Sequence, residues 1–243
     1  FSEEVEIVTD VRWGIVPDYT PYRSQRRFGD GAADWYRVDL QTGERTLLAG
    51  EAQFGVEAGA GDSPILVYGD DRWSAIDLNS MQKTVLAEGR SFTQPLFDHD
   101  YPGPHPPWGV GGWVDTDGVV VLYDKHDIWL VAMDGSSASR LTRGAEEGRI
   151  YRLVRMDSSL GFGDPYVIDS SQPVWLSFRN VRSKDSGYSK ADLRSGRVDV
   201  LLEESAAVGS LTKAEDTDRY ALRIERWDDS PDVFVGGTDL SDL

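Results

Sequence analysis

The residues of this chain that could do chemistry are few and scattered. Three histidines occur, His99, His105 and His126. His99 stands in "DHD" and His105 follows six residues later in a proline-rich loop, so a His/Asp metal site can be drawn there. Such a site needs further ligands at short spacing, and the chain has neither a second close histidine pair nor any cysteine. Both histidines therefore read as solvated loop residues, and no metal or other cofactor is expected. His126, in "YDKHDIW", falls at a turn between strands and reads as a local hydrogen-bonding residue. The segment "DTDG", Asp115–Gly118, opens like a calcium loop but runs into "VVVLYD", a strand, where more oxygen ligands would have to follow. It reads as a hairpin turn.

Nucleophilic chemistry is no better supplied. No serine has glycine at both −2 and +2, so the strained elbow that presents a hydrolase nucleophile is missing. The carboxylate pairs Asp70/Asp71, Glu146/Glu147 and Asp228/Asp229 are adjacent in sequence, and adjacent residues on a strand face opposite sides. Only Asp115 and Asp157, on candidate inner strands, suit a propeller glycosidase. No glycine-rich stretch has the strand-to-helix setting of a phosphate loop. The aromatic series Trp35, Trp73, Trp129 and Tyr188 reads as packing, each buried ring contributing roughly 1.5–3 kcal/mol.

The elements that must carry these residues recur along the chain. An alternating strand ending in Asp, a turn and a second apolar strand return as "DWYRVDLQTGERTLL", "DRWSAIDLNSMQKTVL", "DIWLVAMDGSSASRLT" and "SGYSKADLRSGRVDVLL", with a truncated copy, "PDVFVGGTDLSDL", at the end. The marker residues Asp39, Asp77, Asp134, Asp192 and Asp239 are spaced 38, 57, 58 and 47 apart, which suits propeller blades with loop insertions. These acids are expected to close the turns that follow them. Leu47, Leu86, Leu141 and Leu201 are expected to return an apolar residue to the core. Upstream runs such as "PILVYGD" and "GVVVLYDK" have the length and branching of buried strands. "GVGGWVD", "IYRLVRMD" and "VGSLTKAED" are candidate innermost strands, and no segment sustains a capped helical period. The expected fold is all-β, a β-propeller of about five four-stranded antiparallel blades in units near 1–50, 51–90, 106–143, 149–204 and 208–243, forming a complete or an incomplete ring. The loop Phe97–Gly109, with four prolines, cannot be helix or central strand. It is expected at one face of the ring, with Tyr101, His105 and Trp108 meeting a substrate or partner.

Charge narrows the partners. Acids outnumber bases 42 to 25, a net charge of −17 that repels nucleic-acid phosphates and anionic lipid. No apolar run approaches the roughly 18 residues of a membrane span. The opening "FSEEVEIVTD" has no initiator Met and no leader pattern, which reads as a mature or excised segment.

The stretch "PPWGVGGWVDTDGVVVLYDKHDIWLVAMDG" with "SRLT", followed in order by "PVWLSFRN" and "TKAEDTDRYALRIERWDDSPDVFVGGTDLSDL", resembles the propeller region of bacterial prolyl oligopeptidase-family serine peptidases, of the dipeptidyl and acylaminoacyl peptidase kind. The resemblance runs from about Trp13 to the end. It implies a non-catalytic domain beside an α/β-hydrolase catalytic domain in the parent chain, gating or positioning peptide substrates. It also implies an exported parent, periplasmic or secreted. No segment here matches the catalytic half, so no catalytic residue is carried over. A free-standing propeller that binds a protein or ligand is the competing reading, and a propeller glycosidase a further one.

Overall fold

The computed structural model describes residues 6–8, 12–26, 31–59, 63–95, 98, 103–115, 118–156 and 165–243. Tyr101, His99 and Asp157 lie outside them. The chain is all-β and divides into two compact units, one formed by 1–124, 130–139 and 162–167, the other by 125–129, 140–161 and 168–243.

The strands form five antiparallel sheets in chain order. The first is β1 (Glu6–Val8), β2 (Trp13–Asp18), β3 (Ala33–Asp39) and β4 (Arg45–Ala52); the second is β5 (Val56–Glu57), β6 (Ile65–Gly69), β7 (Arg72–Ile76) and β8 (Lys83–Val85). The third holds β9 (Val110–Val114), β10 (Val119–Tyr123), β11 (Ile128–Ala132) and β12 (Ala138–Arg140). After the short helical turn α1 (Gly144–Glu147) comes β13 (Arg149–Leu153); β14 (Val167–Ile168) then pairs beside β9 as a fifth strand of the third sheet. The fourth sheet is β13 with β15 (Val174–Asn180), β16 (Ser186–Asp192) and β17 (Arg197–Glu204), and the fifth is β18 (Ala207–Lys213), β19 (Tyr220–Arg226) and β20 (Asp229–Gly236). Each is the up-and-down meander of a propeller blade. The uniform four strands expected from the repeat give way to five in the third sheet and three in the fifth.

The recurring aspartates explain the meander. Each ends the third strand of its sheet, or follows it closely, and its carboxylate accepts backbone N–H groups of the turn beyond. Asp39 takes Gln41 and Thr42, Asp77 takes Asn79 and Ser80, and Asp192 takes Arg194 and Ser195, at 2.6–3.1 Å. Asp134 takes Ser136 at 2.8 Å and Asp239 takes Ser241 at 3.2 Å. These bonds favour the charged form and hold all five carboxyls below the usual aspartate range. In two of the turns the chain then passes through a left-handed glycine, Gly43 (φ 77°) and Gly196 (φ 72°).

Apolar patterning sets which faces are covered. Ile65, Leu66, Val67 and Tyr68 of β6 are all buried, so both faces of that strand are covered, as an unbroken apolar run requires. In the first unit Trp13, Ile15 and Trp35 pack with Ile65, Val67 and Ile76. In the second, Trp175, Tyr188, Leu211, Tyr220 and Leu222 form the core, and Leu240 folds back onto them after Asp239. Trp35, Trp73, Trp129 and Tyr188 are all buried, as packing residues should be. One expected core residue is misassigned: Leu47 is 51% exposed and its neighbour Leu48 is buried instead. The cause is a bulge in β4 opposite Trp35 and Tyr36 of β3: Trp35 pairs with Ala49 and Tyr36 with Leu47, leaving Leu48 as the extra residue.

Among the described residues the most buried charged side chain is Asp127, 1% exposed, just before β11. Its carboxylate accepts the Thr142 hydroxyl (2.7 Å), the Gly144 amide (2.5 Å) and the Ala145 amide (3.4 Å), and Arg140 lies 3.5 Å away. It ties the start of β11 to the first turn of α1. His126 beside it donates Nδ1–H to the Arg149 carbonyl of β13 at 2.8 Å, a partner 23 residues on rather than within its own turn.

Candidate functional site

Within the first unit, the end of β4, the β6–β7 turn, Thr93 and the proline loop enclose a cleft of about 860 Å³. Its chemistry comes from Glu51, Tyr68, Asp70, Asp71, Thr93 and His105, with Lys83 as the ammonium group among the lining residues.

Asp70 and Asp71 correct an expectation. They do not alternate along a strand but are the two central residues of a tight hairpin turn, closed by the Gly69–Arg72 pair. Both have left-handed backbones (φ 51° and 60°), the geometry for which Asn-Gly and Asp-Gly are the favoured sequences. Both line the one cleft. Glu51 is left-handed too (φ 51°), held by its amide to Asp34 at 2.9 Å, while Tyr22 donates its hydroxyl to the same oxygen at 2.7 Å. Three acidic residues thus occupy strained backbone positions around one concavity, a pattern met at ligand sites.

Thr93 donates to Asp71 at 3.3 Å, which commits its proton, so the short contact between Tyr68 and Thr93 has the tyrosine as donor. Tyr68 packs edge-on to Phe54 and Trp73, and burial raises its pKa, keeping the phenol protonated at neutral pH.

The proline loop is tied down beside this relay. Thr93 and Pro107 form an antiparallel bridge, flanked by Gln94 N–H to the Pro106 carbonyl (2.8 Å) and Trp108 N–H to the Phe92 carbonyl (2.9 Å). His105 donates Nδ1–H to the Gln94 carbonyl at 2.8 Å. Of the residues named from the sequence, His105 enters the cleft, whereas Trp108 is half-buried and is not among its lining residues. Tyr101 lies outside the described residues. Asp115 is exposed at the end of β9 and is not among the lining residues either. Among the described residues no cluster of three or more His, Asp and Glu is arranged to hold a metal.

Sequence reasoning missed Glu51, Asp70, Asp71 and Thr93 as site residues. One signal was available for the aspartates: "GDD" between two apolar runs is a two-residue hairpin loop, whose central positions share one end of the sheet.

No protein family matches the chain, and no curated protein does. Solved structures similar to it include an oligogalacturonate lyase in complex with manganese (16% identity, 86% of this chain and 69% of that one, TM-score 0.38). Another is the oligogalacturonate lyase of Vibrio parahaemolyticus (13% identity, 83% and 70%, TM-score 0.34). A chain of the nidogen–laminin complex is similar at 11% identity over 83% of this chain and 74% of that one, with TM-score 0.37. Likeness at this distance transfers no activity.

Proposed function

We propose that the chain is a non-catalytic β-propeller domain of a prolyl oligopeptidase-like serine peptidase, and that it receives peptides and positions them for a separate α/β-hydrolase domain. The observation that carries this is the cleft rimmed by Glu51, Asp70 and Asp71. Three carboxylates around one concavity, on a chain of net charge −17, attract and hold a cationic peptide segment. His105, Tyr101 and Trp108 of the proline loop are the residues proposed to meet the peptide or the catalytic domain.

Calorimetric titration with an Arg/Lys hexapeptide and its Glu counterpart tests the reading. The basic peptide is expected to bind at least tenfold tighter, and the double substitution Asp70→Asn/Asp71→Asn to abolish the preference. Equal affinity for the two peptides rejects the cleft as a peptide site. The isolated chain is expected to leave peptides and esters intact and to take no label from a fluorophosphonate probe. Stoichiometric labelling of any serine would sink the non-catalytic reading. A second reading, a free-standing interaction module, is favoured by the fifth sheet, where Val233 and Val235 of β20 stand exposed.

A further inference from the structure

The second unit holds a groove of about 1090 Å³ between the fourth and fifth sheets, and its charge runs against that of the chain. Four cationic side chains line it against three acidic ones, although acids prevail 42 to 25 overall. Most of the acids are already engaged. Asp185 accepts the hydroxyls of Ser183 (2.6 Å) and Ser205 (2.8 Å), and Glu225 pairs with Arg223 at 3.5 Å. Among the cations, Arg226 lies 3.6 Å from Glu204, and Arg152 donates to the carbonyls of Tyr151 and Lys125. Lys184 donates to a backbone carbonyl, that of Val181 at 2.6 Å, and has no carboxylate partner among the described residues. Arg179 is exposed, with no carboxylate partner among the described residues. Beside these cations stands Trp227 in the β19–β20 turn, 96% exposed, a large ring with its apolar surface in water.

The backbone at Lys184 adds to the case. Asn180 organises the β15–β16 turn as the aspartates organise theirs, accepting the amides of Arg182 (2.9 Å) and Ser183 (3.0 Å). Four residues after the acceptor, where Gly43, Met81 and Gly196 sit in the equivalent turns, the chain holds lysine at φ 70°. A charged residue is kept where backbone geometry favours glycine.

The geometry points to this groove as a docking site for an acidic polypeptide segment: its carboxylates meet Arg179 and Lys184, and its apolar side chains pack on Trp227. Charge complementarity selects the occupant, and the alternation of cation and apolar surface suits a peptide in which acidic and aliphatic residues alternate. The site is separate from the acidic cleft and calls for a ligand of opposite charge.

Fluorescence anisotropy of a labelled Glu/Leu dodecapeptide, titrated with the whole chain, tests it. The peptide is expected to bind, Arg179→Glu/Lys184→Glu to weaken binding at least tenfold, and Trp227→Ala at least threefold. Asp70→Asn/Asp71→Asn is expected to leave this affinity unchanged, which separates the groove from the cleft. These side chains are exposed, so melting curves should be unaltered; should the double reversal lose its melting transition, Arg179→Gln/Lys184→Gln is read in its place. The proposal is overturned by no binding up to millimolar chain, or by equal binding of a Lys/Leu peptide. It is equally overturned by indifference to the charge reversal, or by displacement with equimolar tripolyphosphate, which would mark a general anion surface.

Discussion

The cleft rimmed by Asp70 and Asp71 and the groove beside Trp227 share a construction and differ in charge. Each is edged by a hairpin turn in which a charged residue takes a left-handed backbone, aspartates in the first unit and Lys184 in the second. Around the cleft, carboxylates dominate and a single ammonium group answers them. Around the groove, two of the three acids are bound to hydroxyls or to an arginine, while two of the four cations lack a carboxylate partner among the described residues. The difference teaches that net charge describes this molecule poorly. The sheets are a repeated frame, and the turns that join them set the sign of each surface locally.

The comparison can be broken or sharpened in three further ways. The largest expected effect is on the frame. Asp127→Ala leaves the Thr142 hydroxyl and the Gly144 amide without their buried acceptor, and about 3 kcal/mol of stability is expected to go. Urea denaturation measures this, and binding by the fraction that remains folded should be unchanged at both sites. If Asp127→Ala is as stable as the parent, the buried carboxylate is not what anchors α1.

A smaller effect separates stability from binding. Lys184→Gly relieves the left-handed strain and is expected to raise stability by up to about 1 kcal/mol while weakening the acidic peptide. A variant that binds the peptide as well as the parent would show that the lysine is there for neither purpose.

The smallest effect is on pH dependence. The turn aspartates have folded pKa values below the unfolded value of about 3.9, so their stabilisation is complete above that value and is lost as pH falls through the lower folded ones. Asparagine keeps the accepting oxygen without the titration, as Asn180 does naturally. Asp192→Asn is therefore expected to flatten the acid limb of the urea midpoint against pH slightly. An acid limb identical to the parent's would show that this carboxylate does not contribute to it.

Much of the fold was legible because its determinants are local. An aspartate that accepts the amides of its own turn needs no distant partner, so Asp39, Asp77, Asp134, Asp192 and Asp239 mark the third strands from sequence alone. The unbroken apolar run at Ile65–Tyr68 likewise states that both its faces are covered. What could not be read was non-local or too short. β14 is a two-residue strand with no pattern of its own, and the register break at Trp35 is visible only once β3 and β4 are paired. The cleft draws Glu51, Asp71, Thr93 and His105 from four segments, and of these only His105 and Asp71 invited suspicion from the sequence. Asp70 and Asp71 were misread because strand periodicity was applied to residues that are in a turn. Arg179, Lys184 and Trp227 gather only because β15 and β19 end, and β16 begins, at the same groove.

The three-stranded fifth sheet has one more consequence, for behaviour at high concentration. No further strand pairs with β20 among the described residues, so its edge is open to hydrogen bonding from another chain. Val233 and Val235, exposed on the same strand, would make such an edge adhesive. Pro231 interrupts it, because proline has no amide hydrogen to offer, and Asp229 and Asp232 flank it with like charge. A strand laid alongside meets a gap in the ladder and electrostatic repulsion within the same few residues. The sheet therefore carries its own barrier to fibre growth, set into the strand that has most need of one.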